Sequence, residues 1–226
     1  MTERLPRETG RSYAYRVIRE NIISTELAPG SLVSEKELAQ QMNLSRTPVR
    51  EALIDLSQVG IVEVMPQRGS RISYIDSHMV EEAQFMRDTL ERGVCQRLCA
   101  MEMQPDLTPL LENLQAQEAA FRAGENETFF RLDNQFHRLF FQLAGMLHIY
   151  QLSCNFLIHF DRLRSLSLSV QDNGQLIAER REMVDCLRRR DASGVDQAVD
   201  RHLHRYIIDA AVIRRTHPAF FQEGDL

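Results

Sequence analysis

The chain lacks paired cysteines and long apolar runs, and each absence excludes a class of protein. Its four cysteines are Cys95, Cys99, Cys154 and Cys186, and none of them belongs to a CxxC pair. A chain of 226 residues can fold without disulfides, so we predict reduced thiols. No stretch approaches 18 uncharged apolar residues, and the N-terminus carries no apolar signal segment. The sequence therefore predicts neither export nor membrane binding, and places the protein in the cytoplasm.

A strongly basic composition is also missing. The formal net charge of −5 argues against a protein that coats nucleic acid indiscriminately. Residues 1–75 carry ten Lys/Arg and nine Asp/Glu, a net charge of +1, which leaves −6 for residues 76–226. An acidic body with a neutral-to-basic N-terminal part fits a protein that touches phosphate with one part only.

The N-terminal part begins with three short predicted helices. Helical periodicity covers residues 12–25. The SEKE sequence at 34–37 has the pattern of a capping box, in which the first and last side chains satisfy each other's backbone N–H groups. It opens a second helix, which Asn43 can end in the left-handed conformation. Ser45 or Thr47 can then cap a third helix.

A predicted hairpin follows these helices. Gly60 ends the third helix, and residues 61–65 and 71–74 have the pattern of two short strands around the turn 66–69. This order of elements is that of a winged helix-turn-helix: helix, helix, turn, helix and hairpin. We therefore assign residues 1–75 to such a domain.

Residues 76–226 show helical periodicity alone, so the whole chain is predicted to be mainly α. Pro and Gly residues divide this part into an antiparallel bundle of about six helices, with no internal repeat. The predicted helices cover roughly residues 78–101, 106–123, 126–144, 147–168, 175–190 and 193–215.

The third predicted helix carries side chains suited to reading DNA. At 100° per residue, Arg46, Thr47 and Arg50 fall within one arc that avoids the apolar stripe. Two guanidiniums beside a hydroxyl at a helix start suit phosphate contacts and bidentate recognition of guanine. Gln67 and Arg68 at the hairpin tip would reach the adjacent minor groove or backbone. From charge alone, a solvated basic face explains the same residues.

Three segments of this part resemble the DNA-binding domain of the GntR family of bacterial regulators. They read LVSEKELA at 32–39, LSRTPVREAL at 44–53 and PQRG at 66–69, within a resemblance that spans residues 11–75. The resemblance implies a dimer that binds a palindromic operator in double-stranded DNA. The candidate DNA contacts lie at the starts of the second and third helices and at the hairpin tip. They are Lys36, Ser45, Arg46, Thr47, Arg50, Gln67, Arg68 and Gly69.

The helical part places charged and titratable side chains in the middle of apolar helix faces. An ionised group on a core face is costly unless it is paired, hydrogen-bonded or bound to metal. One such group is an ordinary core residue, but five on four helices indicate an internal polar pocket. These five residues are Arg87, Asp133, His137, Arg180 and His202.

Residues 78–215 resemble the FCD domain, the effector-binding domain of the FadR-type branch of GntR regulators. The motifs that carry the resemblance are RDTLE at 87–91, DNQFH at 133–137, and Asp191 followed by His202-Leu203. The resemblance implies a divalent metal held by Asp133, His137, the residue at position 180 and His202. Position 180 is an arginine here, and a guanidinium cannot ligate a metal.

Two hypotheses for this site stay open. In one, Asp133, His137 and His202 still hold a divalent metal (Zn, Ni or Mn), with open positions for water or ligand. In the other, Arg180 replaces the metal's charge, pairs with Asp133 and helps to bind an anionic effector. The second hypothesis is favoured because buried arginines usually pair with carboxylates. Both predict an electropositive cavity for a small organic acid such as a sugar acid. For Arg87, an internal salt bridge with Glu91 is the alternative to ligand contact.

The sequence thus predicts a ligand-responsive DNA-binding regulator, in the form of a homodimeric repressor, and not an enzyme. One alternative is a metal-dependent hydrolase built on Asp133, His137 and His202. The other is a helical dimerisation body that binds no ligand.

Overall fold

The structure is a computed structural model that describes residues 3–167, 173–204 and 206–222. These residues divide into two compact units. The first consists of the described residues within 1–80, 158–166 and 213–226, and the second of those within 81–157 and 167–212. The described part of the chain is mostly helical with one small sheet, which confirms the predicted fold class.

The first unit contains the predicted winged helix-turn-helix. Its helices are α1 (Gly10–Ile23), α2 (Glu35–Gln41) and α3 (Arg46–Gln58). Its strands are β1 (Leu32–Val33), β2 (Val62–Met65) and β3 (Gly69–Ile72). The strands form one antiparallel sheet in the order β1-β3-β2, with Ser70 opposite both Val33 and Val64.

Local sequence explains most of these boundaries. The Thr9 side chain accepts a hydrogen bond from the Ser12 backbone N–H and caps α1. Asn43 and Gly60 both adopt positive φ, at 52° and 78°, and follow α2 and α3 as predicted. The predicted capping box is wrong, because Ser34 is the N-cap residue of α2 but its side chain makes no capping hydrogen bond. Ser45 stands in the same position before α3, also without a side-chain cap.

The core of this unit is the apolar stripe of α3 against α1. Val49, Leu53 and Leu56 on α3 are at most 1% exposed, and Val17 and Ile18 on α1 are fully buried. By the usual scale, each fully buried aliphatic side chain contributes roughly 1.5–3 kcal/mol. This packing holds the exposed face of α3 in a fixed orientation.

Two later segments of the chain complete the first unit. The C-terminal half of α7 (Leu147–Ser167) supplies Arg162, which is 1% exposed. Its guanidinium donates to the backbone carbonyls of Ser73 at 2.6 Å and Tyr74 at 3.3 Å. His159 donates from Nε2 to the Val59 carbonyl at 2.8 Å.

The second segment lies near the C-terminus, where the Ile75 backbone N–H donates to the Phe220 carbonyl at 2.8 Å. The peptide that follows the hairpin is therefore held from two sides.

The second unit is a helical bundle. Besides part of α7, its helices are α4 (Ser77–Ala100), α5 (Thr108–Ala123), α6 (Asn126–Leu143), α8 (Asn173–Arg188), α9 (Ala192–His204) and α10 (Tyr206–Thr216). The first turn of α4 and the last turn of α10 belong to the first unit. The predicted helices correspond to these, the last one to α9 and α10. Residue 205 between them, and residue 168 at the end of another predicted helix, lie outside the described residues. Phe136, Phe140, Met183 and Val199 are fully buried at its centre.

The cysteines and the membrane prediction can be checked against this fold. All four cysteines are free thiols, as predicted. Burial raises the pKa values of Cys95, Cys99 and Cys186, which keeps these thiols protonated. Among the described residues, every helix is too short or too polar to span a bilayer.

Candidate nucleic-acid interface and buried polar site

A groove of about 720 Å³ lies on the first unit, between the N-terminal ends of α2 and α3 and the turn that joins β2 to β3. It brings six of the eight predicted DNA contacts to one surface. Those six are Lys36, Arg46, Arg50, Gln67, Arg68 and Gly69. Ser45 and Thr47 do not line the groove, but both are exposed at the start of α3 beside it.

The four cations of the groove are available to an external anion. Lys36, Arg46, Arg50 and Arg68 are exposed, and none of them forms an ion pair with another residue in the described part of the chain. Two carboxylates, on Glu35 and Glu37, also line the groove. Cations therefore outnumber carboxylates by two to one there. In contrast, Arg11 and Arg16 elsewhere in this unit pair with Asp55 and Glu8.

Backbone geometry fixes the tip of the hairpin. The Arg68 N–H donates to the Met65 carbonyl at 3.1 Å and closes a β-turn with Pro66 in its first central position. The next residue, Gln67, has φ of 62°, and Gly69 has φ of 91°. A Cβ atom on Gly69 would lie 3.0 Å from the Val33 carbonyl oxygen. Glycine at this position lets the turn approach β1 and leaves the Gln67 and Arg68 side chains exposed at the tip.

In the second unit, all five charged or titratable residues singled out by the sequence come together in the core. Each is at most 7% exposed. Arg87 donates from Nε to one carboxylate oxygen of Glu91 at 2.7 Å, and the other oxygen accepts from His137 Nδ1 at 2.8 Å. Of the two roles considered for Arg87, the structure therefore shows the ion pair with Glu91.

His137 connects this pair to the rest of the site. Its Nε2 atom lies 3.5 Å from Asp133 Oδ1 and 3.5 Å from His202 Nε2. The rings of His137 and His202 stack with centroids 5.3 Å apart and an interplanar angle of 20°. On its other side, His202 Nδ1 lies 3.6 Å from a carboxylate oxygen of Glu179.

Arg180 enters the site from α8. Its guanidinium donates to the Asp133 carboxylate and to the Gln117 side-chain carbonyl. It lies over the rings of Phe129 and Phe136, at 5.6 and 5.7 Å from their centroids. The cation is thus held by a charge, an amide and two aromatic faces.

Three polar residues of the site, Asn113, Gln117 and Glu179, were not predicted from the sequence. Gln117 is fully buried and donates to Asn113 Oδ1 at 2.6 Å, and Asn113 donates to the Leu132 carbonyl at 3.1 Å. The two amides lie one turn apart on the buried face of α5. Both amides lie on the apolar face of α5 in a helical wheel, and this position was the signal that could have identified them.

The site holds three carboxylates and two guanidiniums, so its charge is not positive. Arg87 pairs with Glu91, Arg180 pairs with Asp133, and Glu179 adds a third carboxylate at the edge. The expected electropositive cavity is therefore corrected, because both guanidiniums already face carboxylates of the protein. An incoming anion would have to take the place of one of these carboxylates.

Two pKa values at the site are lowered, for different reasons. Burial by itself would raise the pKa of Glu91, but the charges and hydrogen bonds of Arg87 and His137 outweigh it and hold that pKa well below its usual range. For His202, burial dominates and lowers the pKa to about 4, against a smaller raising effect of Glu179. His202 is therefore neutral near pH 7.

We predict that the free energy of unfolding begins to fall below about pH 6.5, at a higher pH than that at which carboxylates take up protons. Burial lowers the pKa values of both His202 and His159 below the usual 6.5. Below about pH 6.5 the unfolded chain binds protons that the folded chain does not, so the free energy of unfolding falls with the pH, by up to about 1.4 kcal/mol per pH unit for each histidine. Urea unfolding between about pH 7.5 and pH 5 measures this slope. A His202→Gln variant should show a shallower slope, and an identical slope would contradict the assignment.

The residues at this site do not fit a divalent metal. Asp133, His137 and His202 offer three donor groups, but the guanidinium of Arg180 donates to the Asp133 carboxylate that a metal would need. A cation in that position also repels a second one. Within the described ranges, no group of three or more His, Cys, Asp or Glu side chains is arranged to hold a metal ion.

Comparison with known proteins finds two matching families. The family of bacterial regulatory proteins named gntR matches residues 11–72, and the FCD domain family matches residues 82–205. The first match covers the groove, and the second covers the buried site.

Individual relatives agree with these matches. The chain is 31% identical to the HTH-type transcriptional repressor RspR of Escherichia coli (strain K12), over 98% of both chains. It is 36% identical to an HTH-type transcriptional regulator in an unstable DNA locus of Streptomyces ambofaciens, over 94% of this chain and 90% of that one. Among solved structures, E. coli McbR/YncC shares the fold with a TM-score of 0.78, at 18% identity over 92% of this chain and 99% of that chain.

Proposed function

The chain belongs to the gntR family of bacterial regulatory proteins, and on this premise we propose that it is a homodimeric cytoplasmic repressor that binds a palindromic operator and responds to a small organic acid. The chain is a DNA-binding transcriptional regulator with an FCD domain. The relatives give no support to the hydrolase alternative. The observation that carries the proposal is the groove, with its four exposed cations that pair with no described residue.

The groove supports DNA recognition by the start of α3. Arg46 and Arg50 lie one turn apart on this exposed helix face, and a guanidinium can bind the two acceptors of guanine in the major groove. Lys36 supplies a point charge for phosphate, which positions the protein without reading sequence. Arg68 and Gln67 at the hairpin tip would contact the flanking minor groove or backbone. A dimer would place two such surfaces on the two half-sites of a palindrome.

The buried site supports an organic acid as effector. Arg180 and Arg87 each hold a carboxylate of the protein, and an effector carboxylate would make the same charge-assisted hydrogen bonds. The neighbouring amide of Gln117 and the two histidines offer partners for hydroxyl groups. The effector would then replace Asp133 or Glu91 at a guanidinium and change the packing between helices.

Regulation would follow from a population shift between two dimer geometries. An effector that binds one geometry more tightly shifts the dimer toward it, and this geometry would space the two α3 helices wrongly for the operator. The effects are reciprocal, so operator DNA must weaken effector binding by the same factor.

Selection of bound duplexes from a random DNA pool tests the proposal on the full chain. The wild type and Arg131→Ala should both recover one short palindrome, because Arg131 is an exposed arginine of the second unit, outside the groove. Arg50→Ala should not recover it. Recovery of no common sequence by the wild type at low salt, where phosphate contacts are strongest, would overturn the proposal.

The recovered palindrome then serves to test the effector. Small organic acids, including sugar acids, are screened for release of the operator, and each active acid is compared with its neutral amide. We expect release by an acid and not by its amide. If no acid releases the DNA and none raises the Tm, the dimerisation body without ligand becomes the better description.

A further inference from the structure

Four side chains from three helices meet at one point of the second unit. Asp133 and His137 come from α6, Arg180 from α8 and His202 from α9. Each is at most 7% exposed. The point is thus enclosed by the protein, and three of the four groups are types that can ligate a metal.

Two of the distances between donor atoms at this point are close to those between neighbouring ligands of a metal ion. His137 Nε2 is 3.5 Å from Asp133 Oδ1 and 3.5 Å from His202 Nε2. Donor atoms around a tetrahedral Zn²⁺ at about 2.0–2.1 Å are roughly 3.4 Å apart. In addition, His137 donates from Nδ1 to Glu91, which leaves Nε2 as the atom that faces the point.

The cation at this point is nevertheless the guanidinium of Arg180. It donates to Asp133, the one anionic donor among the three, and its position is fixed by Gln117 and by two aromatic rings. Because a guanidinium stays protonated and offers no lone pair, it cannot share this place with a metal ion. As they are placed here, no three or more His, Cys, Asp or Glu side chains of the described residues could hold a metal ion together.

We infer that Arg180 takes the place of a metal ion, so that this regulator's buried site has a permanent guanidinium as its cation and is independent of metal. Position 180 then decides between the two kinds of site. A lone-pair donor there, in place of the guanidinium, would complete a set of four ligands with Asp133, His137 and His202. The inference concerns metal content, and it is tested without DNA or effector, so its failure is distinguishable from failure of the proposed function.

The test compares metal binding by the full-length wild type, Arg180→His and the control Arg181→His. Arg181 is the next residue of α8, half-exposed and paired with Glu118, so this control adds a histidine to the surface and leaves the site unchanged. Each protein is prepared without a metal-affinity step and given Zn²⁺, Ni²⁺ or Mn²⁺ in excess, followed by desalting. Bound metal is measured by plasma mass spectrometry, and Tm is measured with and without metal.

We expect the wild type and Arg181→His to retain far less than one metal ion per chain, with an unchanged Tm. Arg180→His should retain close to one ion per chain and gain several degrees in Tm on metal addition, since a ligand that binds the folded state stabilises it. Adding His202→Gln to Arg180→His should remove both effects. A wild type that retains one ion per chain overturns the inference. If Arg180→His does not fold, the metal content of the wild type alone tests the inference. A folded Arg180→His that takes no metal overturns it as well.

Discussion

Asp133→Ala is expected to lower the free energy of unfolding by about 3–5 kcal/mol, the usual cost of removing one partner from a buried ion pair. The side chains of Asp133 and Arg180 are 4% and 2% exposed, and the substitution deprives a buried guanidinium of the carboxylate it faces. Water cannot replace that carboxylate without opening the core. Urea denaturation followed by circular dichroism measures the change.

Two further variants separate this effect from simple loss of packing. Arg180→Leu combined with Asp133→Ala removes both charges, and it should recover much of the stability that Asp133→Ala loses. Asp55→Ala breaks the Arg11–Asp55 pair on the surface of the first unit, and it should cost far less, because water screens exposed pairs. A double variant no more stable than Asp133→Ala alone would show that the pair does not dominate the loss.

Arg50→Ala should weaken binding to the selected operator by about ten- to a hundredfold, equivalent to roughly 1–3 kcal/mol for one lost bidentate base contact. The residue is exposed, forms no ion pair with another described residue and lines the groove one turn from Arg46. Fluorescence anisotropy on the palindrome and on a scrambled duplex gives the specificity ratio. That ratio should fall for Arg50→Ala and stay unchanged for Arg131→Ala.

Lys36→Ala provides the contrast between base and phosphate contacts. It should weaken binding to both duplexes by the same factor and reduce the slope of log affinity against log salt by about one. If Arg50→Ala shows that pattern instead, with an unchanged specificity ratio, then Arg50 contacts phosphate rather than a base.

Much of the first unit could be predicted because its signals are local. Asn43 and Gly60 end helices by their own backbone preferences, and the apolar stripe of α3 is visible in thirteen consecutive residues. The strand β1 was not predicted, since its two residues become a strand only through pairing with β3, nearly forty positions later. The role of Ser34 was overestimated for a related reason: a capping sequence permits a hydrogen bond but does not impose the side-chain rotamer that makes it.

In the second unit, helical periodicity found the charged residues of the site but not their partners. Arg87 has Glu91 one turn away, so that pair could be proposed from spacing alone. The contacts of Arg180 with Asp133 and Gln117 join residues 47 and 63 positions apart, and only the packing of three helices determines them. For this reason the balance of charge, which decides what the site can bind, required the structure.

The support of the hairpin by α7 limits how such regulators can be recombined. A chimera that grafts residues 1–76 onto a foreign body would carry every recognition residue of the groove. It would leave behind Arg162 and His159, whose side chains satisfy the backbone carbonyls of Ser73, Tyr74 and Val59, and such carbonyls are costly to bury unsatisfied. The transplantable module is therefore discontinuous in the gene. Domain shuffling would have to exchange three separate stretches together, within residues 1–80, 158–166 and 213–226.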